Sequence, residues 1–528
     1  MNRPTSILDS DGQPYERKGT VHDLDRLFGE RNYEAADTNR LNDAHWINAS
    51  DQHINVILAS QLSNLRKRSL YETRNNGFVR GMINTHKVDL IGADGPKLTA
   101  VSEEEDETTK RYVANLNSVV RDWMETPEIS GCMALADVLR QDVEMLWAAG
   151  EAIWLTVDDE PTPDNPVSLR IQTVNPRDLR DTGSISRLGS ANQRQSGKIL
   201  GVHVDARGRI LGYDIEGFAD AVPARNIEHL FRADEPGQRR GVPWMSSILQ
   251  DIADLRDYDV QVLDAARAAA DYAVMLMPNS DQVEPIDIKP GTSVPIRRRQ
   301  ITTGPPGYTV TALQPTQPQA SYLDHRKERH ADFGRPVSMP GLISRADASN
   351  HNFSSSRFDA RKYDAANAEV RAWIARCRLN RVIRRVESEA GKRGILMPNG
   401  RRVAQRPGPI RFHWTWTTDT HVAADPNKEA KAAAARMDSR ISTMADEVAR
   451  FSGRSLPDHL KILEREAEMF RDSGLPTQAA SPAGEAGRQL FSGALMELAR
   501  DPESFVTDRI REYQEGEAQE DRHNAALR

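Results

Sequence analysis

Apolar residues three and four positions apart mark most of this chain as helix. Leu135, Val138, Leu139, Val143, Leu146 and Trp147 share one face and predict a helix from Met133 to about Ala149. Upstream, Ile57, Leu58, Leu62, Leu65 and Leu70, then Phe78, Met82, Ile83 and Val88, predict two helices, with Asn75-Asn76-Gly77 as the turn between them. The run Thr108–Met124 reads as helix, and the acidic cluster Glu103–Glu107 before it suits a helix N-terminus. Gly241-Val242-Pro243-Trp244 opens another helix, about Ser246 to Met277, with proline near the first turn where its missing N–H costs nothing. Its Ala-rich part, Leu263–Ala273, allows either close helix packing or plain helix propensity. Ala320–Phe333 is a shorter helix, and Asp425–Met437, Thr443–Phe451 and Pro457–Asp472 follow.

The longest pattern runs from Phe353 to Ala390, free of Pro and Gly beyond Ser354, and stops at Gly391-Lys392-Arg393-Gly394. Unbroken, it would span on the order of 55 Å. Phe358, Ala365, Ala366, Val370, Trp373, Ile374, Cys377, Val382 and Ile383 form its expected buried stripe. An irregular stretch rich in Gly, Pro, Ser and Asn, from Gly334 to Asn352, precedes it.

Between the helices the period changes. Ile153–Val157, Leu169–Val174, Ile199–Val204, Leu211–Ile215 and Ile227–Phe231 are short β-prone runs separated by turn signals, and predict a small antiparallel unit. Residues 181–198 carry few apolar side chains and read as a loop. Lys97–Val101 and the alternating Ile410–Thr417 predict further strands, and the Pro-rich 278–318 reads as extended segments and loops.

Composition narrows the class. The 528 residues suffice for two to four domain-sized units, yet only 38% are hydrophobic and the mean hydropathy is −0.62. That balance suits an elongated subunit with much polar surface. No apolar run approaches the ~20 residues that span a bilayer, and the N-terminus lacks an apolar signal core, so a cytosolic site of synthesis and no membrane partner are expected. Cys132 and Cys377 stand apart and read as buried small apolar residues, not as a disulfide or metal pair.

Charge is uneven. The whole chain is −7, but Phe353–Arg393 holds 11 Lys/Arg against 5 Asp/Glu. A positive helix in a negative chain fits a polyanion or an acidic neighbour, or simply a solvated face with local ion pairs. The tail from Asp501 to Arg528 is acidic, with 8 acidic and 4 basic residues. No GxxxxGK(S/T) loop, GxGxxG turn or GxSxG elbow occurs. His325 and His330 are five apart, which does not set them on one helical face, and His413 beside Trp414 reads as packed. No cofactor, no metal and no enzymatic activity are expected. A metal-dependent nuclease with carboxylates converging from distant positions, or a DNA-binding adaptor, are the competing functions.

The landmarks, in order, resemble the lambda-like family of tailed-bacteriophage portal proteins over roughly residues 31–475. They are Tyr33-Glu34-Ala35-Ala36 with Trp46; Arg66-Lys67-Arg68-Ser69-Leu70, Asn76 and Ile91-Gly92; Arg240-Gly241-Val242-Pro243-Trp244; Asn352-Phe353-Ser354-Ser355-Ser356-Arg357; the Trp414 strand; and Asp425-Pro426-Asn427-Lys428-Glu429. Arg335–Pro340 and the acidic tail depart from the family's pattern. The resemblance implies an α+β, mainly helical, elongated subunit of a dodecameric ring. Its parts would be a flexible arm (1–30), wing (31–132 and 278–335), stem helices (133–154 and 233–277), β-rich clip (155–232), channel loop (336–352), long basic helix (353–395), β segment (396–424), helical crown (425–475) and acidic, partly disordered tail (476–528).

By the same resemblance the ring would sit at one capsid vertex, initiate procapsid assembly, and pass double-stranded DNA during packaging and ejection. Its partners would be the terminase large subunit, the major capsid and scaffold proteins and the head–tail connector proteins. It would reside in the virion, and in host cytoplasm during assembly. The positions implied to line the channel are Arg345, Ser349, Asn350, Arg357, Arg361 and Lys362.

Overall fold

The structure, a computed structural model, describes residues 47, 49–103, 106–162, 165–181, 197–271, 275–278, 308–311, 320–347, 349, 353–397, 400–402, 406–416, 426–452 and 456–473. The expected N-terminal arm, most of the 181–198 loop and the acidic tail lie outside these residues.

The first helices start and stop for local reasons. Helix α1 (Ile54–Asn75) ends where Asn76 begins α2 (Gly77–Ile91), and the Asn76 side chain accepts the N–H groups of Phe78 and Val79. That satisfies two donors left free at any helix start, as the Asn-Asn-Gly turn predicts. Strand β1 (Pro96–Ser102) follows, then α3 (Glu107–Glu125), whose first turn is capped by Asp106 through the Thr109 N–H at 3.0 Å. Helix α4 (Leu135–Ala149) has every residue of its expected apolar face buried.

Strand β2 (Glu151–Asp158) starts one residue beyond α4, and its alternation divides the molecule. Trp154 belongs to the main core, whereas Ile153 and Leu155 face a second, smaller core. Period-two side-chain geometry thus makes one strand serve both. Strands β3 (Leu169–Val174) and β8 (Ile227–Phe231) flank β2, both antiparallel. Between them β4 (Gly197–Ile199), β5 (Val202–Val204), β6 (Ile210–Tyr213) and β7 (Val222–Pro223) form an antiparallel meander over the second core. The span 155–232 is therefore continuous with the helical body: Leu169, Ile171 and Leu230 join Trp154 in the main core.

The junction from α4 to β2 requires Gly150. It is left-handed, at φ 81°, and a Cβ there would lie 2.2 Å from the Val242 carbonyl carbon. Gly150→Ala is expected to cost at least about 2 kcal/mol, combining left-handed strain with a backbone clash. Urea denaturation of the two chains checks this; an unchanged midpoint would refute the packing argument.

The rest builds outward from that body. Helix α5 (Leu249–Asp271) is preceded by the 3₁₀ turn Ser246–Ile248 and followed by β9 (Met275–Pro278), which pairs with β10 (Tyr308–Thr311). The expected helix to Met277 thus stops earlier and turns into strand. Helix α6 (Ala320–Asp332) packs back on α5, and the short α7 (Gly341–Ser344) follows. The long helix runs unbroken from Phe353 to Arg393, as expected, but widens in its middle. It consists of α8 (Phe353–Ile374), a π-helical turn Ala375–Leu379, and α9 (Asn380–Arg393). The wide turn shifts the register, so Arg378 goes inward and Cys377 outward. Cys132, beside the turn Ile129–Gly131, is also exposed, so neither cysteine is the buried residue expected.

Strand β11 (Ile410–Trp416) pairs antiparallel with β1, Pro96 opposite Trp416. Phe412, Trp414 and Trp416 pack on the main core, so alternation turns His413 out into solvent, against the expectation that it is packed. Helices α10 (Pro426–Asp438), α11 (Met444–Ser452) and α12 (Leu456–Ser473) close the described chain near their expected bounds.

Candidate functional site

The basic helix spends much of its charge inside the protein. Arg378 is 1% exposed; its guanidinium lies 4.2 Å over the Trp154 ring and donates to the Asp142 carboxylate and to the carbonyls of Ala152 and Glu228. Arg381 pairs with Glu228 at 3.2 Å, and Arg385 donates to Thr156 Oγ1 and to the Arg225 carbonyl. Arg371 donates to the carbonyls of Leu90 and Asp89. These arginines bolt the helix to β2, β8 and α2. The helix as a whole is therefore not a free cationic surface.

A second buried cluster fixes the sheet to the body. Arg240, fully buried, sends Nε to both Glu151 oxygens at 3.0 Å and Nη1 to Asp181 at 2.8 Å and the Leu200 carbonyl at 3.0 Å. Arg66 of α1 donates to the Pro176 carbonyl and pairs with Asp181. Glu151 also accepts from His229 at 3.0 Å and from the Gly241 N–H at 3.1 Å. Burial alone would raise its carboxyl; Arg240 and His229 instead hold it far below the usual carboxylate range.

Other cations of the helix stay on its surface: Arg376 and Arg384 singly, and a group of three at the start of α8. Arg357, Arg361 and Lys362 are exposed, and Arg357 and Arg361, four apart, share a face. No ion pair to these two occurs among the described residues. Phe358, expected in the buried stripe, is instead 61% exposed, with Lys362 Nζ 5.6 Å from its ring centre. Two turns further the same face carries Ala365, Ala368 and Ala372, which limits the basic patch to the helix's beginning.

The segment leading to it is tightly wound. Ser338 and Ala346 are left-handed, at φ 58° and 50°, on either side of α7. Gly334 is needed because a Cβ there would meet the Met339 carbonyl oxygen at 2.7 Å. Arg345 is half-buried, its Nε donating to the Gly341 carbonyl at 3.2 Å. Ser349 is exposed, and both its N–H and its hydroxyl donate to Asp347 Oδ1, which lowers that carboxyl. Asn350 lies outside the described residues. Four of the expected positions thus fall on surface (Ser349, Arg357, Arg361, Lys362), while Arg345 is partly engaged by its own helix. Phe358 is the addition that periodicity missed: a helical stripe predicts burial, yet its ring is largely exposed.

The buried arginines thus knit the elements together, and Arg357, Arg361 and Lys362 form an exposed group at the start of α8. The chain belongs to the lambda family of phage portal proteins, whose profile matches residues 40–371. Members of that family are structural proteins, not enzymes. Solved structures with a distant likeness include the neck of a native gene transfer agent particle computed with C12 symmetry. That chain is 11% identical with a TM-score of 0.38, over 72% of this chain and 91% of that one. Another is an HK97-family phage portal protein from Corynebacterium diphtheriae, 10% identical with a TM-score of 0.30, over 68% and 96%. A search of curated proteins gives no match.

Proposed function

We propose that copies of this chain form a ring at one capsid vertex of a virion and that duplex DNA passes along its axis. In this reading residues 336–352 are the channel loop, and the start of α8 stands behind it. The observation that carries it is the patch Arg357, Arg361 and Lys362, unburied, at the end of a wound segment, on a chain of portal family. Each phosphate neutralised adds salt-dependent affinity, so a wall of many arginines would hold DNA fast. A patch of two or three per subunit, with Arg371, Arg378, Arg381 and Arg385 engaged within the protein, gives weak and sequence-indifferent contact instead. A sliding polyanion needs that. The terminase large subunit, capsid and scaffold proteins and head–tail connector proteins are the partners such a ring would meet, in host cytoplasm first and then in the virion.

The test is the double variant Arg357→Glu/Arg361→Glu. Both side chains are exposed, so ring formation and thermal stability should match the parent, while the yield of DNA-filled particles falls severalfold. Loss of assembly with intact folding would reassign these side chains to subunit contacts and overturn the reading.

A further inference from the structure

Helix α5 presents two different faces. Asp251, Tyr258 and Asp259 meet α6: Tyr258 lies 5.7 Å from the Tyr322 ring, Asp259 accepts from Tyr322 at 2.8 Å and pairs with Arg326 at 3.2 Å, and Arg329 pairs with Asp251. The opposite face, Leu249, Ala253, Arg256 and Val260 at helical spacing, carries no α6 contact. With α1 it walls a groove of about 530 Å³. Tyr71 on its rim is 55% exposed and Val260 just beyond is 52% exposed. Lys67 and Arg68 line it, exposed and without an ion-pair partner among the described residues. Arg256 adds a third cation, already shared between Glu72 and the Tyr71 ring. Leu65, Leu249 and Ala253 give the groove its apolar lining beside Glu72, Ser246 and Gln250, and Lys67 and Arg68 make its edge positive.

Its complement lies across the same layer of helices. On α6, Asp324 and Glu328, four apart on the side turned from α5, are exposed and in no ion pair among the described residues, and Leu323, 56% accessible, lies on the flank beside Asp324. We propose that this edge of α6 docks in the α1–α5 groove of a neighbouring copy. Leu323 would lie against Tyr71 and Val260, and Asp324 and Glu328 would face Lys67 and Arg68. The groove lies on one side of α5 and α6 on the other. A rotation about an axis running along these helices carries the edge of one copy onto the groove of the next. Such a head-to-tail contact closes into a ring when the rotation divides a full turn. The partner is a second copy, and the contact rests on the ring reading above.

The experiment uses full-length chains, compared by negative-stain imaging and native mass measurement at matched concentration. Lys67→Glu/Arg68→Glu and Asp324→Lys/Glu328→Lys should each reduce the assembled fraction at least fivefold, with far-ultraviolet circular dichroism and melting unchanged. The chain carrying all four reversals should regain assembly. A parent that forms rings beside a Lys67→Glu/Arg68→Glu chain that forms them equally well overturns this contact and leaves the ring standing; so does a quadruple variant that folds but stays apart. A parent that never assembles overturns both. As a check independent of charge, Tyr71→Cys/Leu323→Cys, in a chain with Cys132→Ser and Cys377→Ser, should give interchain disulfide ladders on oxidation. Ring formation without a ladder counts against the contact.

Discussion

An Arg240→Met chain is expected to lose about 3–5 kcal/mol of folding stability, the usual consequence of leaving a buried charge without its partner. Methionine fills the volume of the stem, so the loss is electrostatic. Glu151, fully buried, would keep only His229, the Gly241 N–H and the distant Arg66 at 3.6 Å. The carbonyls of Leu200 and Pro176 would lose donors as well. Urea denaturation measures the drop. A double cycle sharpens it: Glu151→Gln/Arg240→Met should cost clearly less than the two single changes added, because removing both charges removes the stranded one. Additive losses would mean that the pair is packed side by side without coupling. The cluster joins α1, β2, β8 and the segment leading into α5, so such a variant should also lose assembly.

That cluster shows what a single chain reveals and what it hides. Arg240-Gly241-Val242-Pro243-Trp244 is conspicuous in the sequence, and helix α5 follows nearly where proline and periodicity predict. Its partner Glu151 sits 89 residues away, at the head of a strand whose alternation marks only which side is apolar. Pairings across such separations leave no local trace. The match of β1 with β11 is the same case: each strand was legible by its period, their register was not. Helix α4 was fully legible because burial on one face of a helix is a local property.

The long helix was legible in extent but not in use. A count of 11 cations against 5 acids treats every arginine as surface, whereas Arg371 and Arg378 are bonded to backbone carbonyls inside. The π turn that swaps Cys377 for Arg378 has no composition signature. Phe358 fails for the opposite reason: an apolar residue at core spacing is left largely exposed.

The second large effect is acid sensitivity centred on His86. The ring is buried between α2, α4 and α8; Trp147 Nε1–H donates to its Nδ1 at 2.8 Å, which sets the neutral form with hydrogen on Nε2. Trp244 and Tyr363 lie against it at 6.0 and 6.2 Å. Burial, aided by the Arg371 charge and only partly offset by Asn367, pulls its pKa down to about 4. The unfolded chain takes a proton near 6.5, the folded chain only near 4, so stability is complete above 6.5 and drains as the pH falls between those values. At 1.36 kcal/mol per unit the loss approaches about 3 kcal/mol. A His86→Gln chain has no such proton to take. Its deficit against the parent in urea should therefore be largest at pH 7 and shrink steadily toward pH 4.5. The other histidines, His229 and His330 among those held low by burial, titrate alike in both chains and cancel. A deficit that stays constant from pH 7 to 4.5 would mean that His86 takes its proton in the folded chain as readily as in the unfolded one.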